Sequence, residues 1–115
     1  MTAFVVGQRW ASNTESSLGL GIVIEIEGRH VTLSFPAAET VRTYAADGAA
    51  LQRIRYSPGD QVADRDQRRF RIVELVESDG LIEYQCVDEH GAAHGVHEIE
   101  LDAFVQFATP PQRLV

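Results

Sequence analysis

Gly21-Ile22-Val23-Ile24-Glu25-Ile26-Glu27-Gly28-Arg29-His30-Val31-Thr32-Leu33-Ser34-Phe35 is the stretch on which the fold turns. Ile22, Ile24 and Ile26 alternate with Val23, Glu25 and Glu27, and beyond Gly28-Arg29 the residues Val31, Leu33 and Phe35 alternate with Thr32 and Ser34. A period of two on both sides of a turn signal predicts a β-hairpin. Outward from it, Thr40 to Ala45 and Gln52 to Tyr56 read as further short strands, bounded by Pro36, Asp47-Gly48 and Ser57-Pro58-Gly59-Asp60. No twelve-residue stretch keeps a helical period with caps at both ends. Val41 to Leu51 comes nearest, but Asp47-Gly48 favours a turn there.

After Pro58-Gly59 the pattern starts again. Val62 opens a short strand, Phe70 to Glu77 a long one, and Ser78-Asp79-Gly80 turns the chain into Leu81 to Val87. Beyond His90-Gly91, Gly95 to Leu101 is expected as a fourth strand and Phe104 to Phe107 as a fifth. Gly7 matches Gly59, Ile54 matches Val105 and Tyr56 matches Phe107, at offsets of 52, 51 and 51 residues. The repeat is one of pattern, with little residue identity. It predicts an all-β chain of two tandem five-stranded units, SH3-like or Tudor-like (KOW-like) bent-sheet barrels over 1–57 and 58–109, followed by a connector at 110–115. Closing a small sheet removes most of its exposed edges. A unit of this size buries only about 60% of its unfolded surface, so the two are expected to dock.

Composition sets limits on function. The 115 residues hold ten basic side chains, all arginine, against 17 acidic ones, for a net charge of −7. Without lysine the chain itself supports neither a phosphate-binding P-loop nor Schiff-base chemistry. Its acidity disfavours non-specific attraction to nucleic acid or anionic membrane. One cysteine leaves no intramolecular disulfide, which fits a reducing compartment. Met1 to Trp10 has no basic n-region and no long apolar run, so neither signal peptide nor membrane span is expected and the default location is cytoplasmic.

Cys86, His90, His94 and His97 carry zinc-type ligand atoms among Asp88, Glu89 and Glu98. The strand pattern, however, points Cys86 into the barrel and puts His90 and His94 in a hairpin loop, so neither a metal site nor a cofactor is expected. A catalytic cysteine needs an electropositive, partly exposed setting, whereas residues 74–102 hold nine acidic side chains and no arginine. That acidic run reads as a solvated strand face.

Residues 53–71 are the opposite, with Arg53, Arg55, Arg65, Arg68, Arg69 and Arg71 against three aspartates. Guanidinium forks bind carboxylates or phosphates bidentately, which makes these six candidate partner-binding residues. Trp10, Leu18 and Leu20 join them, because the glycines flanking Leu20 allow a sharp bend that presents Leu18 or Leu20. The competing reading of that loop is a bulged barrel corner. For Phe4, Trp10, Phe35, Tyr44 and Tyr56, core filling is favoured over a cage for methylated ammonium groups.

Gly7-Gln8-Arg9-Trp10 with Leu18-Gly19-Leu20-Gly21, then Ser57-Pro58-Gly59-Asp60, Asp79-Gly80-Leu81, Glu100-Leu101-Asp102 and Gln112-Arg113-Leu114, resembles the extreme N-terminus of the RapA (HepA) family of bacterial RNA polymerase-associated, SWI/SNF-like ATPases. The resemblance covers the whole chain, and the histidine cluster departs from the family pattern. It implies a pair of Tudor-like barrels related in shape to those of transcription elongation factors. It also implies a non-catalytic region that binds core RNA polymerase and anchors and regulates a downstream ATPase, where ATP and Mg would belong to the parent alone. DNA contact would come weakly or through the parent. The alternative is a small-barrel module that binds single-stranded nucleic acid by stacking in a basic groove.

Overall fold

Residues 4–103 are described in a computed structural model of the chain. The strands are β1 (Arg9–Ser12), β2 (Leu20–Glu27), β3 (His30–Phe35), β4 (Thr40–Ala45), β5 (Leu51–Arg53), β6 (Gln61–Ala63), β7 (Arg69–Ser78), β8 (Leu81–Val87) and β9 (Ala93–His97). They form two antiparallel sheets, in the orders β4-β3-β2-β1-β5 and β6-β7-β8-β9. The chain passes from one sheet to the other between Arg53 and Gln61.

The pattern repeat is a repeat of geometry. Gly7 and Gly59 precede β1 and β6 with φ of 101° and 96°, a region that residues with a Cβ avoid. Both long second strands carry a register shift, between Val23 and Glu25 in β2 and between Ile72 and Glu74 in β7. A bulge bends its strand and advances the side-chain phase by one. The extra residues, Ile24 and Val73, are thrown outward, 46% and 54% exposed.

The bulge also changes the phase along β2, so that Val23 before it and Ile26 after it share the side of Leu33 and Val31. Val23 is fully buried opposite Leu33, while Ile24 and Ile26 are exposed. Val31, Leu33 and Phe35 alternate inward as the sequence predicts and pack with Trp10, Leu18 and Val23 in the first core. The second core gathers Val62, Phe70, Ile72, Ile82, Tyr84, Cys86, Val96 and Leu101. Leu20 of β2 belongs to this second core, and Ile54 and Tyr56 pack against it. The two units therefore dock through shared apolar packing.

Two expected strands end early. The fourth strand of the second unit stops at His97, because Glu98–Glu100 forms a 3-10 turn. The His97 amide donates to the Glu100 carboxylate at 2.8 Å, and Leu101 meets Asp64 in an isolated bridge. Glu98, two residues after buried Val96, goes inside and Ile99 comes out. The strand expected over Gln52–Tyr56 is β5 at Leu51–Arg53; Ile54 still donates to the Arg9 carbonyl at 3.0 Å, but the Tyr56 amide turns to the Tyr84 hydroxyl at 3.1 Å. The fifth strand expected at Phe104–Phe107 and the connector at 110–115 lie outside the described residues. Among the described residues no helix is long and apolar enough to cross a membrane.

Candidate functional site

Between the units lies a buried polar centre built on Glu98, which is 0% exposed. The Arg53 guanidinium donates to both of its oxygens, Nη1 to Oε1 at 2.6 Å and Nη2 to Oε2 at 2.9 Å. Backbone amides complete the shell, Arg9 to Oε1 at 3.1 Å and Ile82 to Oε2 at 2.6 Å. Arg9, itself buried, threads its guanidinium past Glu98 and donates to the carbonyls of Gly21, Glu98 and Leu101 at 3.0, 3.0 and 2.8 Å. Burial pulls its pKa down to about 10, so the charge is retained at neutral pH. A buried ion pair is tolerated only when its remaining lone pairs and protons are satisfied, and this one is. Gln8 extends the network: its amide donates to the Gly80 carbonyl at 2.8 Å, and its oxygen accepts from the Trp10 indole at 2.9 Å.

This placement removes several residues from any outer surface. Arg53 is committed to Glu98 and is a fastener between the barrels. Trp10, Leu18 and Leu20 are 5%, 5% and 1% exposed, so the Leu18-Gly19-Leu20-Gly21 segment turns its leucines inward. The reason is space: a Cβ on Gly21 would stand 2.7 Å from the Phe35 ring, so the missing side chain lets the strand close on the core.

The other five arginines stay on the surface. Arg55 pairs with Glu77 at 2.7 Å, both half exposed. The remaining four follow the loop from β6 into β7. Asp64, buried at its base, accepts from the amides of Asp66 and Arg68 at 2.9 Å each and from the Arg68 guanidinium at 2.8 Å. Burial alone would raise the Asp64 carboxyl; the hydrogen bonds from Arg68 and Asp66 outweigh it and hold the group below its ordinary value. Arg68 also lies 5.8 Å from the centre of the Phe70 ring. Arg65 donates to the Ile99 carbonyl at 2.9 Å, and Arg69 and Arg71 project outward on β7. A shallow depression of about 430 Å³ separates this loop from β9, lined by Asp64, Arg65, Arg68, Phe70, His94 and Glu100 among others.

The histidine and cysteine cluster does not assemble. Burial pushes the Cys86 thiol up to about 11. His94 pairs with Asp88 at 2.7 Å and stacks edge-on against Phe70, with ring centres 5.2 Å apart. Among the described residues no three His, Cys, Asp or Glu side chains are placed to share a metal ion. The described phenylalanine, tyrosine and tryptophan side chains are buried or half-buried.

Sequence reasoning passed over Gln8, Arg9 and Glu98. Glu98 left one signal: it stands two residues after Val96, on the inward side of the strand pattern, while being read as part of a solvated acidic face.

Two bent antiparallel sheets, each with a bulged second strand and fused through a buried ionic centre, define a tandem of Tudor-like small barrels. Residues 4–54 match the family described as RapA N-terminal Tudor like domain 1, and residues 56–115 match RapA N-terminal Tudor like domain. The chain belongs to the RapA N-terminal Tudor-like family. It is 38% identical over 113 residues to RNA polymerase-associated protein RapA of Yersinia enterocolitica, a match covering 96% of this chain. The chain spans 12% of the length of that relative.

Proposed function

We propose that this chain is a non-catalytic docking module that binds core RNA polymerase in the cytoplasm. It would anchor and regulate an ATP-dependent, SWI/SNF-like motor carried by other domains of a RapA-type protein, a motor that recycles the polymerase. ATP and Mg would serve that motor and not this chain. The observation that carries the reading is the gathering of Arg65, Arg68, Arg69 and Arg71 on one exposed edge of a chain whose net charge is −7. An acidic domain with one arginine-rich edge attracts acidic protein surface locally while its overall field discourages nucleic acid. The buried Arg9–Arg53–Glu98 centre supports the same reading, since it fixes the two barrels against each other and so gives that edge a defined position. The direct test is retention of purified core polymerase by the immobilised, folded domain. Retention that weakens with salt is expected; no retention at low salt contradicts the proposal.

A further inference from the structure

Nine arginines fall within the described residues, and six of them (Arg9, Arg42, Arg53, Arg55, Arg65 and Arg68) donate to an acceptor in the chain. Among the described residues Arg69 and Arg71 form no ion pair, although acidic side chains outnumber basic ones across the chain. They alternate on β7 with buried Phe70 and Ile72, so both face outward. Two residues of strand place them roughly 7 Å apart. Their cross-strand neighbours leave room for a partner: Ala63 lies opposite Arg69, and Gln61 and Val87 lie opposite Arg71. Arg69 borders two shallow hollows of about 460 and 280 Å³. Asp88, also on their rims, is already occupied by the amides of His90 and Ala92 and by the His94 ring, while Glu89 forms no ion pair with either arginine.

We propose that Arg69 and Arg71 are a two-pronged receptor for an extended acidic protein segment, one that presents carboxylates two residues apart. The proposal rests on the docking reading above and names the chemistry of the partner. A strand or extended loop repeats its side chains on one face every second residue, the same roughly 7 Å that separates the two arginines. Each guanidinium then takes one carboxylate through a planar pair of N–H donors. A phosphate backbone could offer charges at similar spacing; the docking reading on which this proposal rests favours the peptide, and the oligonucleotide arm of the test separates the two.

The test compares the unaltered 115-residue chain with Arg69→Glu/Arg71→Glu and with Arg29→Glu, an exposed arginine at the far hairpin tip. Each is titrated with core RNA polymerase and separately with a single-stranded oligonucleotide. The double reversal should weaken polymerase binding by roughly tenfold or more, with Arg29→Glu within about twofold of the parent. If the parent binds and the double reversal binds equally well, the receptor is overturned and the docking reading stands. If the parent does not bind polymerase, both fall. Loss of oligonucleotide binding with polymerase binding intact also overturns the receptor. Should the reversal unfold the chain, Arg69→Gln/Arg71→Gln carries the same comparison.

Discussion

Arg53 and Glu98 meet in a bidentate pair across the seam between the two barrels, at 2.6 and 2.9 Å, with the carboxylate fully buried. Glu98→Ala leaves the Arg53 guanidinium without its carboxylate and strands the backbone amides of Arg9 and Ile82. Breaking one side of a buried pair costs about 3–5 kcal/mol, a large part of the 5–15 kcal/mol that stabilises a typical domain. Urea unfolding followed by Trp10 fluorescence and by far-UV circular dichroism should show the two probes coinciding in the parent. In Glu98→Ala the midpoint should fall sharply and the probes should separate.

Gly21→Ala tests the close packing of β2 on the first core. The added Cβ would sit 2.7 Å from one Phe35 ring carbon and 3.1 Å from Leu33 Cδ2, both side chains being fully buried. Overpacking of this kind costs about 1–3 kcal/mol, so a clear drop in melting temperature is expected. Gly48→Ala, where a Cβ would meet nothing, carries only the cost of its positive φ.

Most of the strand framework is legible in the sequence because period-two alternation and turn residues are local signals. Thr40–Ala45 and Leu81–Val87 fall where the pattern puts them. Alternation alone does not reveal the bulge, which puts Val23 on the core face before it and Ile26, paired with buried Val31, on that face after it. The turn at Glu98–Glu100 is hidden too, and the inward position two residues after Val96 carries a carboxylate where alternation leads one to expect an apolar side chain. The arginine edge shows in composition, but its division does not: Arg53 turns inward only because a carboxylate 45 residues later is there to receive it.

Cys86 should behave as an inert core side chain. With its thiol raised to about 11 by burial, the reactive thiolate is scarce at neutral pH. Alkylation should be slow in the folded chain and rapid in urea. Fast labelling of the folded protein would contradict the packing described for β8.

Asp88 gives the second unit an acid-sensitive loop. Hydrogen bonds from the Ala92 amide and the His94 ring hold its carboxyl down to about 2, against an ordinary 3.8. Between those values the unfolded chain binds the proton more readily, so stability falls as pH drops from about 4 toward 2. Asp88→Asn should flatten that part of the stability profile.

Core RNA polymerase binding by the isolated 115-residue domain, measured as an equilibrium titration at low and at physiological salt, tests the central claim most directly. The account predicts saturable binding that weakens with salt and falls by roughly tenfold or more in the Arg69→Glu/Arg71→Glu chain. A folded parent domain that shows no binding at low salt would contradict it.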